Sequence, residues 1–140
     1  MRMIGRNFKP HSCDLDENGP VSIHRAVALV HEFSAASALT PEQGAKLAIL
    51  VEEAVTNVYD HADVQPGFAG SLALAGDSDG VRICLCDSGQ AFDPRSADED
   101  RLPDLERGGG AGLALIRAWA EIVDYRSEDG VNRLELKLRD

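Results

Sequence analysis

The sequence predicts an α+β protein, a two-layer sandwich in which helices cover one face of a mixed, mainly antiparallel sheet. Three observations support this fold class. Helical periodicity dominates the early part of the chain. Short apolar runs follow in pairs around Asp-Gly turns, which is typical of antiparallel hairpins. One further helical segment separates the two pairs, so helices and strands are largely segregated along the chain.

Length, charge and cysteine content limit the possible functions. The chain has 140 residues, and we expect residues 1–140 to form one domain, with residues 1–20 as a less certain N-terminal segment. Its net charge of −10 argues against binding to nucleic acid or to a membrane surface. The sequence shows no membrane-spanning run and no secretory signal. The number of cysteines, three, is odd, and Cys84 and Cys86 would share one face of a strand, which is poor geometry for a disulfide between them. We therefore expect reduced thiols and a cytoplasmic location.

Two helices are predicted in the first half of the chain. Apolar residues recur at helical spacing over residues 21–38, which gives the first helix. The second helix has a strong start signal, because Thr40 can cap it, Pro41 suits its first position and Gln43 completes a capping box. We expect this second helix to end near His61.

The strands are predicted from short apolar runs. An edge strand is expected within residues 4–15. Residues 71–75 and 81–86 flank an Asp-Gly turn and should pair as a hairpin. Residues 122–126 and 132–138 should form a closing hairpin around a second Asp-Gly turn. Leucines alternate with charged residues in its last strand, so we expect that strand to have one solvent-exposed face.

A long loop and a third helix lie between the two hairpins. Residues 90–111 are polar, acidic and rich in glycine. Loops of this length in a compact domain are usually functional or disordered. The helical pattern resumes over residues 112–120, so we expect the third helix to begin at Gly112, the last glycine of this stretch.

A polar pair on the second helix forms the first candidate site. Glu53 and Asn57 are four residues apart and therefore lie on the same side of the helix, beside its apolar arc. A carboxylate and a carboxamide one turn apart offer hard oxygen ligands for Mg²⁺ and a potential general base. Taken alone, the pair is more typical of a solvated helix face.

The second candidate site is the end of an apolar strand, where Asp87 is followed by Ser88 and Gly89. A carboxylate in this position can accept a hydrogen bond from an exocyclic amino group such as that of adenine. Glycine has no Cβ, which lets a base lie against the backbone. Taken alone, the motif is more typical of a turn that ends a strand.

The third candidate site is the glycine-rich run at residues 107–113, Arg-Gly-Gly-Gly-Ala-Gly-Leu, which opens the third helix. Free backbone N–H groups at a helix start can cradle phosphate, and the helix dipole adds a favourable field. The run is not a P-loop, which needs Gly-Lys-Ser/Thr, and it lacks the βαβ context of a dinucleotide fingerprint. A flexible linker is an alternative of equal weight.

In this order and spacing, the three motifs resemble the GHKL, or Bergerat-type, ATP-binding fold. Within that fold they are most similar to the anti-sigma-factor serine/threonine kinases of bacterial partner-switching systems. The resemblance covers about residues 21–138. Residues 53–57 are similar to the N box, residues 87–94 to the first glycine box and residues 110–113 to the second. The ATP lid corresponds to about residues 90–109.

The resemblance implies a role for each motif residue. Asn57 would bind the Mg²⁺ that bridges the ATP phosphates, and Glu53 would be the base that acts on an incoming serine hydroxyl. Asp87 would hold adenine, and Gly89 would make room for it. Four residues of the glycine-rich run would lie at the phosphates: Gly109, Gly110, Gly112 and Leu113. Arg107 would place a cation near the γ-phosphate.

The implied function is that of an ATP- and Mg²⁺-dependent serine/threonine protein kinase. Such a protein would bind a sigma factor or another output protein and phosphorylate a small antagonist protein. Homodimers are common in the family, and neither nucleic acid nor membrane is an expected partner. Two alternatives remain open. One is a non-catalytic nucleotide-binding partner-switch module, and the other is a detached histidine-kinase-type ATPase domain.

The sequence departs from the family pattern in three places. Ala91 stands where the wider superfamily usually has a second glycine, a change that the anti-sigma branch tolerates. Asp63 stands where an aromatic residue is expected. The lid is acidic and has no lysine, so Arg95, Arg101 and Arg107 would have to offset its charge beside a polyphosphate. We therefore expect weak or partner-dependent nucleotide binding.

Overall fold

Three helices and five strands make up the part of the chain that the computed structural model describes, which is residues 11–77, 80–95 and 109–139. Of the helices described, none combines the length and the apolar character that crossing a membrane requires. The elements in chain order are β1 (His11–Leu15), α1 (Gly19–Ala36), α2 (Pro41–His61), β2 (Gly70–Asp77), β3 (Gly80–Asp87), α3 (Gly109–Trp119), β4 (Ala120–Glu128) and β5 (Val131–Leu138).

The strands form a single five-stranded sheet in the order β1-β2-β3-β5-β4. Each neighbouring pair of these described strands is antiparallel, which confirms the predicted α+β class and makes the sheet antiparallel rather than mixed. After the crossover through α3, β5 returns between β3 and β4. This topology places the end of β3 beside the start of β5.

The core lies between the sheet and the helices. Alternate residues of β3 are buried, namely Val81, Ile83 and Leu85, as expected for a strand with one covered face. They belong to one cluster with the apolar sides of α1 and α2, in which Phe33 and Leu50 are among the largest fully buried side chains. The helix layer therefore holds α2 firmly against the sheet.

The start of α2 confirms the capping prediction. The Thr40 hydroxyl accepts a hydrogen bond from the Gln43 backbone N–H at 3.1 Å, and the Gln43 side chain accepts one from the Thr40 backbone N–H at 3.0 Å. At its other end, α2 stops at His61, with Ala62 as the C-cap residue. The helix that carries Glu53 and Asn57 thus has a fixed length and register.

The hairpins are confirmed, and one helix boundary is corrected. β2 and β3 pair from Gly70 opposite Asp87 to the turn, and β4 and β5 meet at a turn in which Asp129 and Gly130 both have positive φ, 53° and 78°. The third helix begins at Gly109, three residues before the predicted start at residue 112. Glycine is a poor helix former, so the sequence pattern places these residues in the loop, whereas the structure places them in the first helical turn.

Candidate active site

A small cavity lies between α2 and one end of the sheet. Asn57 on α2 and Asp87 at the end of β3 both line it, so the structure brings the first two motifs together. Its volume is about 30 Å³, which is room for about one or two water molecules. Its apolar lining includes Val58, Leu85, Phe92, Ile116, Tyr125 and Leu134.

Hydrogen bonds hold the Asp87 carboxylate in place. Its Oδ1 atom accepts from the backbone N–H of Gly89 at 2.8 Å and from Nδ2 of Asn132 at 3.0 Å. Asn132 is only 4% exposed, and its Nδ2 also donates to the Gly89 carbonyl at 2.8 Å. Among the described residues, all hydrogen bonds to Asp87 fall on Oδ1, so Oδ2 is the oxygen left for a ligand.

Gly89 is required by the packing of the chain itself. A Cβ at this position would lie 2.4 Å from the Cβ of Ala62 and 2.8 Å from its carbonyl oxygen. The Gln90 backbone N–H donates to that same carbonyl at 2.7 Å. The missing side chain therefore lets the loop after β3 close against the end of α2. Room for a base at Gly89 stays a prediction.

The helix side of the site joins the first motif to the third. A Cβ at Gly112 would lie 2.6 Å from Oε2 of Glu53, so the carboxylate reaches the first turns of α3. Burial raises the pKa of Glu53 above its usual range, and the neighbouring carboxylates Glu52 and Asp60 raise it further. A carboxylate with a raised pKa is better matched to proton transfer near neutral pH.

The start of α3 supplies backbone donors beside Glu53. Gly109 and Gly110 are its first two residues, Gly112 is buried, and Leu113 is half-buried. The first four N–H groups of a helix have no partner within the helix and favour anions. Arg107 and lid residues 96–108 lie outside the described residues.

Aromatic side chains also line the cavity, and one of them, Phe92, belongs to the first glycine box. The rings of His61 and Phe92 stack with centroids 3.8 Å apart and planes 3° from parallel. The Tyr125 hydroxyl accepts a hydrogen bond from the Phe92 backbone N–H at 3.0 Å. From the sequence alone, Tyr125 is more typical of packing in the core or at an edge, because no local pattern reports its contact with the distant residue Phe92.

The first part of the lid is tied to the domain. Arg95 forms an ion pair with Asp93 at 2.9 Å and donates to the Tyr125 carbonyl at 3.2 Å. This hydrogen-bonded pair with Arg95 lowers the pKa of Asp93. Arg117 on α3 donates to the Pro94 carbonyl at 2.6 Å. The lid therefore leaves the site from a fixed point beside α3.

Asp63, which stands where an aromatic residue is expected, does not line the cavity. Asp63 is exposed and adopts a left-handed backbone with φ of 51°, which aspartate tolerates better than most residues. Its side chain accepts from Gln65 at 3.3 Å. Both residues border a second, larger depression, which Ala62, Gly89 and Gln90 also line.

The donor set fits a magnesium nucleotide better than a metal held by protein alone. Within the described residues, no group of three or more His, Cys, Asp or Glu side chains could hold an ion. Mg²⁺ is usually bound through one or two protein oxygens plus substrate phosphates and water. Asn57 and the neighbouring Glu53 can supply such oxygens, while the start of α3 can face phosphates.

The antiparallel sheet, the helix-borne polar pair, the carboxylate at a strand end and the glycine-rich helix start together define a GHKL-type ATP-binding domain. The chain belongs to the family of histidine kinase-like ATPase domains, whose model matches residues 17–138. This result confirms the family resemblance on which the site residues were chosen.

Two protein kinases are among the similar sequences. The serine/threonine-protein kinase BtrW of Bordetella bronchiseptica is 33% identical over 95 residues, which are 64% of this chain and 66% of the relative. The serine-protein kinase RsbW of Staphylococcus aureus is 33% identical over 92 residues, which are 59% of this chain and 58% of the relative. The matched region thus spans less than two thirds of either relative.

A solved structure supports the fold. The histidine kinase domain of the blue-light activated histidine kinase EL346 from Erythrobacter litoralis superposes with a TM-score of 0.53 over 86% of this chain and 60% of that chain. The sequence identity is 13%, so this likeness concerns the fold alone.

Proposed function

We propose that this protein is a cytoplasmic, ATP-dependent serine/threonine protein kinase of the partner-switching type. The main support is the convergence of the three motifs. Asn57 and Asp87 line one cavity, and Glu53 reaches the glycine-rich start of α3. The names of the kinase relatives agree with this chemistry.

Each side chain has a distinct task in the proposed reaction. Oδ2 of Asp87 accepts a hydrogen bond from the amino group of adenine, and the amides of Gly110 and Gly112 face the phosphates. Asn57 would hold Mg²⁺ through its carboxamide oxygen. Bound ATP and Mg²⁺ supply the phosphoryl group and the charge neutralisation that its transfer requires. Glu53 receives the proton from the hydroxyl of the incoming serine or threonine.

The cavity also bears on nucleotide affinity. The stacked rings of His61 and Phe92 line a space of about 30 Å³, and we propose that they move apart when a base binds. The free energy of that rearrangement is subtracted from the binding energy. This supports the expectation of weak or partner-dependent ATP binding.

The proposed partners are a sigma factor or other output protein and a small antagonist protein that accepts the phosphoryl group. A net charge of −10 favours a partner with a basic surface, because complementary charge speeds association and disfavours wrong partners. A homodimer is part of the same proposal.

Transfer of the γ-phosphoryl group to an antagonist protein tests the proposed function. The full chain is incubated with labelled ATP, Mg²⁺ and candidate antagonists, and the labelled residue is identified. We expect acid-stable phosphoserine or phosphothreonine. ATP binding without transfer to any antagonist would instead support the non-catalytic partner-switch module. Acid-labile phosphohistidine would support the histidine-kinase-type ATPase domain.

A further inference from the structure

A polar row crosses three strands next to the cavity. Asn132 on β5 is paired in register with Asp87 on one side and with Ser127 on the other. Of the described residues, only Asn132 and Ser22 are buried and polar. Burying an amide is costly unless all its hydrogen bonds are made. The buried amide of Asn132 therefore needs a hydrogen-bond partner for each of its polar atoms.

The direction of every hydrogen bond in this row follows from chemistry. The Gly89 carbonyl can only accept, so the Asn132 atom 2.8 Å from it is the amide nitrogen. The amide oxygen then faces Ser127, whose hydroxyl must donate to it at 2.7 Å. The second hydrogen of the amide nitrogen goes to Oδ1 of Asp87 at 3.0 Å.

This arrangement determines which Asp87 oxygen a ligand meets. Oδ1 receives two donors, the amide of Asn132 and the backbone N–H of Gly89. Oδ2 remains for the cavity that Asp87 lines. A carboxylate oxygen accepts hydrogen bonds and does not donate them. The ligand atom opposite Oδ2 must therefore be a donor.

We propose that Ser127 and Asn132 are positioning residues for base selection, which hold Asp87 so that the site prefers 6-aminopurine to 6-oxopurine nucleotides. The Gly89 carbonyl and the Asp87 carboxylate, which both accept, set the orientation of the Asn132 amide. Ser127 donates to the amide oxygen and so anchors the side chain that donates to Asp87. The inference rests on the proposed nucleotide-binding role of the cavity and is independent of phosphoryl transfer.

Calorimetric titration of the full chain with MgATP and with MgITP tests this inference, because in ITP the 6-amino group is replaced by oxygen. We expect the wild type to bind ATP at least about tenfold more tightly, because an acceptor facing an acceptor leaves a buried group unpaired. Ser127→Ala should reduce the ATP-to-ITP affinity ratio about threefold to tenfold. Ser127→Thr keeps the hydroxyl and should preserve the ratio.

Ser12→Ala, on the exposed part of edge strand β1, is the matched control and should keep the wild-type ratio. Because Ser127 is exposed, its alanine variant should fold, with a Tm within a few degrees of the wild type. An equal loss of ATP and ITP affinity in Ser127→Ala would show a merely structural role and overturn the inference. So would an unchanged ratio, or a wild type that binds both nucleotides equally.

The same titration separates this inference from the proposed function. If neither nucleotide binds the wild type, both are overturned. If the ratio responds as expected but no antagonist is phosphorylated, only the kinase proposal fails. Asn132→Asp replaces the donor with an acceptor and should reduce ATP affinity more than Ser127→Ala does. If Asn132→Asp binds ATP as tightly as the wild type, the inference is also overturned.

Discussion

The two ends of the site are built differently. At the sheet end, Asp87, Gly89 and Asn132 are joined by short hydrogen bonds across neighbouring strands. At the helix end, within the described residues, the side chains of Glu53 and Asn57 make no hydrogen bond. The fold therefore organises in advance the groups proposed to bind the base, and it leaves those proposed to bind the phosphates for the ligand to complete.

The two ends also use glycine differently. A Cβ at Gly89 would meet backbone atoms of Ala62, whereas the described atoms that a Cβ at Gly112 would meet belong to the end of the flexible Glu53 side chain. Backbone atoms cannot move aside without shifting α2 or the loop, but a glutamate can change rotamer. We therefore expect substitutions of Gly89 to affect stability and substitutions of Gly112 to affect activity.

Glu53→Gln should have the largest effect on the helix end. Removing the base should lower the rate of phosphoryl transfer about 100- to 10,000-fold, the usual contribution of general base catalysis. The fold should persist, because glutamine has nearly the same shape. Single-turnover transfer to the antagonist measures the rate. Glu32→Gln, on the exposed side of α1, is the control, and a Glu53→Gln rate near that of the control would refute the role of Glu53.

Gly89→Ala should have the largest effect on the sheet end. Its Cβ would be 2.8 Å from the Ala62 carbonyl oxygen, and overpacking of this kind costs about 1–3 kcal/mol of the free energy of unfolding. Urea denaturation monitored by circular dichroism measures this loss.

Gly44→Ala on α2 is the matched control for Gly89→Ala. The nearest atom to its added Cβ would be the Ser34 hydroxyl oxygen at 3.4 Å, and alanine is favoured over glycine inside a helix by about 0.5–1 kcal/mol. We expect this control to be as stable as the wild type or more so. Equal stability of the two variants would show that the tight approach at Ala62 is not a constraint.

Gly112→Ala should keep stability within about 1 kcal/mol, because the helical preference for alanine offsets the movement of Glu53. The rate of phosphoryl transfer should still fall, by about tenfold, since a misplaced catalytic group loses reactivity steeply with distance. Denaturation and single-turnover transfer on the same sample separate the two effects. A large loss of stability in Gly112→Ala would contradict the expectation that the two glycines differ in their effect on stability.

The pH dependence should show the smallest effect. The pKa of Glu53 is raised above its reference value of 4.5, so its base form, and with it the rate, should be lost as pH falls through that raised value. The folded state binds this proton more tightly than the unfolded state, so the contribution of Glu53 to stability should fall as pH rises above 4.5. Rate and unfolding profiles of wild type and Glu53→Gln check both signs. The variant should lack this acid limb.

Local patterns predict most of the fold. The capping box of Thr40 and Gln43, the Asp-Gly hairpins and the alternating leucines of β5 each depend on neighbours in sequence, and the structure confirms them. The predicted start of α3 was wrong. Intrinsic propensity disfavours Gly109 and Gly110 in a helix, but the structure includes both residues in the first turn of α3.

The candidate site is less predictable than the fold. Asp87 and Asn57 stand out in the sequence, but their common cavity depends on the sheet order. Asn132 carries a signal that was overlooked, since it is a polar residue at an inward position of an alternating strand. Tyr125 carries none, because an irregular register between Ile122 and Asp124 changes which residues of β4 face inward.

Titration of the full chain with MgATP, comparing wild type with Asp87→Asn, tests the central claim most directly. The account predicts saturable binding by the wild type and a Kd at least about tenfold higher for the variant, because the amide presents a donor where an acceptor is needed. Asp14→Asn, on the exposed face of edge strand β1, should bind like the wild type. Equal ATP affinity of Asp87→Asn and wild type, or no saturable binding by the wild type, would contradict the account.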